Sequence, residues 1–403
     1  MPTELPLKYG CNPNQPDARI LFDGPPEVAC PLSIVNGNPS FINALDGLRG
    51  WELVRDLKAA TGQPSAASFK HVSPAGAAVA GELSDSFCAA NFYPSPNQYS
   101  YSPIAAAYAK ARSSDRGASF GDFIAVSETV DASLATLIRP EVSDGIIAPG
   151  YNADAEAILA SKKGGKYVML QIDPAYAPAA GSFESRTCFG LTLEQTYNDV
   201  VIDTSLLQNV VTGNKTLPKS AVESLLVATA TLKHTQSNSI AVAMDGQAIG
   251  VGAGQQSRIA CTRLACDKAD RFMLKQHPKS IALIALFKEG VKRPDKVNAV
   301  DQFVRYHELD EVELGGLHAL LESKTEPITP DEANNWCANF GNGQLALSSD
   351  AFIPFRDNLD RAARSGVKYV VHAGGSARDD LVTDAANEHG MVMALSGLRL
   401  FLH

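Results

Sequence analysis

Residues 143–173 read SDGIIAPGYNADAEAILASKKGGKYVMLQID, and this stretch decides the fold class. A short apolar run, Gly145 to Ala148, stops at Pro149-Gly150. A helical pattern follows from near Ala153 to Lys162, and after Gly164-Gly165 a second apolar run extends from Tyr167 to Ile172. Apolar runs of strand length flanking a helix are the pattern of a βαβ unit. Residues 365–397, SGVKYVVHAGGSARDDLVTDAANEHGMVMALSG, repeat the plan. Here the strands fall at Val367 to Val371 and Met391 to Leu395, with the helix near Ala377 to Glu388. One unit in each half, similarly spaced but almost unrelated in sequence, predicts an internally duplicated α/β architecture. At 403 residues the chain exceeds what one hydrophobic core usually serves, so the division is placed at residues 1–200 and 201–403.

Outward from these units, Pro39-Ser40 precedes FINALDGLRGWELVRDLKAA, in which Phe41, Leu45, Leu48, Val54 and Leu57 recur at helical spacing until Gly62 and Pro64. The helix delivers the chain into SAASF, a strand candidate, so that Lys70-His71 stands at its carboxyl end before a turn containing Pro74 and Gly76. In the second half, LPKSAVESLLVATATLKHT reads as a helix opening near Pro218, and SIAVAMDGQAIGVGAG as a hairpin turned on Asp245-Gly246. HTQSNS lies between them. Its four consecutive hydroxyl or amide side chains, Thr235 to Asn238, suit either a capping loop or a ring of neutral oxygens around a ligand. Residues 308–347 read as a peripheral helical excursion.

Composition narrows the function. The chain has 35 basic and 44 acidic residues, a net charge of −9, and no polybasic run, which argues against nucleic acid or anionic lipid as partner. No stretch approaches the roughly 20 apolar residues of a membrane helix. MPTELPLKYGCNPNQ lacks a basic segment followed by an apolar core, so the expected location is cytoplasmic. Seven scattered cysteines without a Cys-x-x-Cys read as reduced thiols.

Zinc deaminase ligands are missing from the pattern, GVGAGQQSR matches no dinucleotide or phosphate-loop signature, and GGSARD is not a nucleophile elbow. The glycines of GVGAG read as a close-approach turn after a strand. Lys70-His71 remains. A lysine and a histidine at a strand end are most often a solvated edge, but adjacency has a chemical logic. The ammonium keeps the imidazole neutral as a base and can itself bind anionic oxygen or protonate a leaving nitrogen.

SFKHVSPAGAAV (68–79), SFGDFIAVS (119–127), RPEVSDGIIAPGY (139–151), KHTQSNSI (233–240), GVGAGQQSRIACTRLA (250–265), SSDAFIPFRDNLDRAARSGVKYV (348–370) and LRLF (398–401) together resemble the aminoimidazole-carboxamide ribonucleotide (AICAR) formyltransferase family, in order from Lys8 to His403. The resemblance implies two cytidine-deaminase-like α/β subdomains and a homodimer with active sites at the subunit interface. It implies formyl transfer from 10-formyltetrahydrofolate to the 5-amino group of AICAR. His71 would be the base, Lys70 its partner on the folate side, and Asn238 a group near the carboxamide and formyl.

By the same resemblance, Lys8, Tyr9, Gly10, Asn43, Gly121, Asp144 and Arg399 hold the nucleotide. Phe352, Pro354, Phe355 and Asp357 match the segment around the folate pterin, Phe352 on its substrate side, with Phe120, Arg258, Ile259 and Asn298 as further folate contacts. Thr235, Ser237, Ser239 and Asp350 resemble a structural potassium site. The chain departs from the family in having Lys8 for arginine, Asn14 for histidine and Gly117 for a bulkier residue. A separate inosine monophosphate cyclohydrolase is expected alongside it. The alternatives are a zinc deaminase on related topology and a catalytically silent nucleotide binder.

Overall fold

A computed structural model describes residues 3–25 and 27–403. Among the described residues, eleven strands form one mixed sheet: β1 Leu32–Asn36, β2 Ser65–Lys70, β3 Ser73–Val79, β4 Asp122–Val126, β5 Ser143–Ala148, β6 Val168–Ile172, β7 Ile240–Met244, β8 Gln247–Gly252, β9 Leu345–Ser349, β10 Val367–His372 and β11 Val392–Leu395. Their spatial order is β11-β10-β9-β7-β8-β3-β2-β4-β5-β6-β1.

The order contains its own repeat. β2 and β3 form a hairpin, β4 lies antiparallel to β2, and β5 and β6 add parallel to β4. β7 and β8 form a second hairpin, β9 lies antiparallel to β7, and β10 and β11 add parallel to β9. The halves meet at one seam, where β3 runs antiparallel to β8 with Ala77 and Ala78 opposite Ala248 and Gln247. The α/β architecture and its repeat therefore agree with the two βαβ stretches read from sequence.

Helices repeat in step. α1 (Phe41–Thr61) and α3 (Lys219–Lys233) precede the two hairpins, and α2 (Pro103–Ser113) and α4 (Arg258–Leu274) follow them. α1 and α3 cover one face, burying Trp51, Leu53, Leu57, Leu225 and Leu226, while α2 and α4 cover the other with Tyr108, Cys261 and Ala265. Small residues let those helices approach. A Cβ on Gly76 of β3 would lie 2.2 Å from the Ala111 carbonyl of α2, and one on Gly252 of β8 would lie 2.3 Å from the Cys261 carbonyl of α4. The glycines of GVGAG thus serve helix packing inside a strand as much as a turn beyond it. No helix among the described residues is long and apolar enough to cross a membrane.

Two expectations are corrected. The chain after His71 does not break at Pro74 and Gly76 but continues as β3, a strand of small residues whose pairing with β2 shifts register between Ser68 and Phe69. The helical excursion ends before Leu345. Leu345–Ser349 is a fully buried strand between β7 and β10, and five residues following a Gly-rich turn carry too little pattern to announce a central strand.

Strand directions place the interesting residues together. Lys70 ends β2, Gly121 precedes β4, Asp144 lies at the start of β5, Ser239 precedes β7 and Asp350 follows β9, so all five occupy one edge of the sheet. Three strand spacings, about 14 Å, separate β2 from β7 along that edge.

Candidate active site

The first cluster is built on a two-residue turn. Lys70 and Ser73 pair across the hairpin, and the residues between them, His71 and Val72, have φ of 53° and 60°. Positive φ at both centres is the type I′ pattern, normally filled by Asn-Gly. Holding a β-branched side chain there costs roughly 1–3 kcal/mol, so the surroundings must enforce it. They do so through Asp46 on α1, whose Oδ1 accepts the Val72 N–H at 2.6 Å. Burial is the largest influence on the Asp46 carboxyl and pushes it up; the Val72 hydrogen bond and the charges of His71 and Lys70 oppose it, leaving it at about 6.

The Lys70 ammonium donates to the carbonyls of Phe120 at 2.7 Å and Gly121 at 3.0 Å. Two of its three protons are thereby committed and one is free for a ligand. Gly121 is itself at φ 73°, and a Cβ there would stand 3.0 Å from Lys70 Nζ. Asp144 forms an exposed pair with Lys163 at 2.7 Å. Backbone bonds from Lys8 N to Pro39 O and from Phe41 N to Tyr9 O tie the N-terminal segment to the start of α1. Lys8 Nζ sits 5.4 Å from the Tyr9 ring centre, and Gly10 borders a groove of about 750 Å³. The Asn43 carboxamide oxygen is committed locally, accepting the Ser40 N–H in a capping box.

The second cluster turns on Arg258. Its Nη2 donates to Asn238 Oδ1 at 2.9 Å, and its Nη1 donates to the Ser239 carbonyl at 2.8 Å and to Asp350 Oδ1. Asn238 Nδ2 donates to the Gln255 carbonyl at 3.0 Å. The other Asp350 oxygen accepts from Ser237 Oγ at 2.6 Å and from Ser239 N and Oγ at 3.0 Å. Ser237, Ser239 and Asp350 offer hard oxygens that fit an alkali ion in kind. The Thr235 hydroxyl donates to the Thr231 carbonyl, and Arg258 already supplies the charge opposite Asp350.

The C-terminal segment straps across this loop, Leu400 N to Asp350 O and Ser237 N to Leu402 O, and stacks Arg399 over Phe401 at 4.9 Å. Phe352 and Phe355 are half exposed, with Arg378 over the Phe355 ring at 4.8 Å. Pro354, between them in sequence, and Ile259 of α4 are partly buried, and Asp357 opens the helix Asp357–Arg364.

Phe120 and Asn298, far apart in sequence, line one cleft of about 260 Å³ together with Gly117, Arg116 and Arg293. A Cβ at Gly117 would meet no atom closer than 3.6 Å, so its small size leaves room in that cleft. Beneath it Glu141 accepts from Arg112, Arg116 and Arg293. Burial pushes the Glu141 carboxyl up, but the three guanidiniums outweigh it and hold it at about 2.

Asp46 and His372 were not singled out from sequence. Asp46 had no distinguishing signal, since α1 also holds Arg49, Glu52, Arg55, Asp56 and Lys58. His372 had none. Its Nδ1 accepts from Ile353 N and Gly374 N behind the Phe352–Phe355 segment, and burial lowers it to about 4.

This is a duplicated α/β protein that gathers a lysine-histidine turn and an arginine-asparagine-aspartate clasp on one sheet edge. The chain belongs to the AICARFT/IMPCHase bienzyme family, whose pattern matches residues 1–268. It is 30% identical over 400 residues to the bifunctional purine biosynthesis protein PurH of Roseobacter denitrificans, covering 98% of this chain and 59% of that protein. Similar relatives are the PurH proteins of Magnetococcus marinus, 29% identical with the same coverage, and of Xylella fastidiosa, 28% identical with 98% and 58% covered. The chain therefore spans somewhat over half the length of these relatives.

Proposed function

We propose that this protein transfers the formyl group of 10-formyltetrahydrofolate to the 5-amino group of AICAR in purine biosynthesis. The observation that carries the reading is the Lys70-His71 turn, tied down and set on the same edge as Asn238 and Arg258, in a chain of this family. The AICAR amine is a weak nucleophile because its lone pair is delocalised toward the ring carboxamide. His71 removes a proton from that nitrogen as it attacks the formyl carbon. The remaining Lys70 proton meets the formyl oxygen or the departing folate nitrogen. The bond from that nitrogen to the formyl carbon breaks, and tetrahydrofolate leaves with a proton. The product is formyl-AICAR, which a separate cyclohydrolase would close to inosine monophosphate.

The same reading makes the protein a cytoplasmic homodimer in which the Lys70-His71 cluster of one protomer faces the Asn238, Phe355 and Asp357 cluster of its partner. Half-exposed Phe120, Phe352, Phe355 and Phe401 support a covered edge. So does the hairpin of Phe183–Cys188 with Leu191–Thr196, which is exposed almost throughout and carries outward Phe183, Phe189, Leu191 and Leu193. A lone two-stranded hairpin is marginal in water unless something packs on it. The same reading divides the chain near residue 200 into two cytidine-deaminase-like halves, which the bond from Val211 N to Met393 O within the second half supports.

The test is an absorbance assay of the purified protein with AICAR and 10-formyltetrahydrofolate, following tetrahydrofolate. His71→Ala should lower turnover by roughly 10²–10⁴ with AICAR binding retained. Wild-type protein that binds AICAR but forms no product would overturn the reaction, and a fully active variant would overturn the base.

A further inference from the structure

The two hairpins of the duplicated fold provide an internal control. Both turn through two residues at positive φ: His71 and Val72 in one half, Asp245 and Gly246 in the other. Asp-Gly adopts that turn unaided, whereas His-Val resists it, because a β-branched residue rarely enters the left-handed region. In both halves the helix preceding the hairpin brings a carboxylate to the turn. Asp46 of α1 accepts the Val72 N–H, and Glu223 of α3 lies so close to the other turn that a Cβ on Gly246 would meet its Oε1 at 2.8 Å. Only the first turn needs its carboxylate to hold its shape. Asp46 itself is buried, a poor place for a carboxylate that does nothing.

We propose that Asp46 is a positioning residue for His71: by accepting the Val72 N–H it locks the left-handed His71-Val72 turn and thereby fixes where the imidazole projects from the sheet edge. It acts through the backbone and touches neither substrate nor reacting atoms. The inference rests on the proposed role of His71 for its catalytic consequence, but its structural content stands without it. What Asp46 supplies is an acceptor oxygen in a fixed place, so a side chain with the same oxygen and no charge should serve.

Three variants test it: Asp46→Ala, Asp46→Asn, and Asp46→Ala combined with Val72→Gly. Each is assayed for turnover and for the KM of AICAR, and the backbone amide at position 72 is followed by NMR hydrogen exchange. The alanine variant should lose turnover by 10-fold or more at little-changed KM and lose protection at the Val72 amide. The asparagine variant should keep both within a few-fold, and a glycine at position 72, at ease in the left-handed region, should restore turnover to the alanine variant. An alanine variant with a protected Val72 amide and full turnover would overturn the proposal. So would an asparagine variant as impaired as the alanine one, since the charge and not the acceptor would then matter. A wild-type protein inactive in formyl transfer would sink the proposed function alone, because the amide exchange of the variants still reports whether Asp46 holds the turn.

Discussion

At the scale of the residue, Asp46 has a measurable stability signature. Burial raises its carboxyl from the ordinary carboxylate value to about 6, with His71, Lys70 and Asp144 as the charged groups facing it. A carboxyl raised in the folded state contributes stability that is fully present below about pH 4 and is lost as pH rises through about 6. Urea titrations of wild type and Asp46→Asn at pH 4, 6 and 8 should therefore show the variant gaining relative stability as pH rises. A constant difference across that range would mean the carboxyl is not raised. Lys70 and His71 were legible because their chemistry is written in their types, but the partner that shapes their turn is one aspartate among many. Its significance depends on a contact across 26 positions and on a backbone φ that composition does not record.

At the scale of the element, legibility followed local rules. Asp245-Gly246 announced its hairpin because the turn residues fit the turn, while β3 was hidden because Pro74, Gly76 and a non-standard turn all argued against a strand. Those small residues answer to a neighbour, since Gly76 and Gly252 lie against helix carbonyls that cannot move aside. Gly252→Ala should destabilise the protein by about 1–3 kcal/mol through that overlap. Gly315→Ala, in the helix Glu311–Ala319 with no atom within 4 Å of the new methyl, should be neutral or stabilise by up to about 1 kcal/mol. Chemical denaturation distinguishes the two, and equal effects would show that contact distance does not govern the β8 site.

At the scale of the whole molecule, the duplicated plan was visible in the spacing of the two βαβ stretches. The seam that joins the halves was not, because Ala77-Ala78 against Gln247-Ala248 has no sequence mark. Nor did the sequence separate the two clusters, which its motifs interleave and the strand order sets about 14 Å apart along one edge. If a second protomer completes each site, the exposed hairpin is the natural handle for testing it. Leu191→Asp with Phe189→Asp should move the protein from dimer toward monomer in sedimentation velocity, and specific activity should fall on dilution. An unchanged sedimentation coefficient would remove the hairpin from the interface.

Joining two copies of one plan in a single chain also changes what each copy is free to become. The related hairpin turns point to opposite edges of the sheet, so only the His71-Val72 turn shares an edge with Ser239 and Asp350. Asp245-Gly246 is the easy solution to a turn, while His71-Val72 keeps the difficult one. The backbone strain of the paired turns is thus held in one copy of the plan, at the turn that shares an edge with the second cluster.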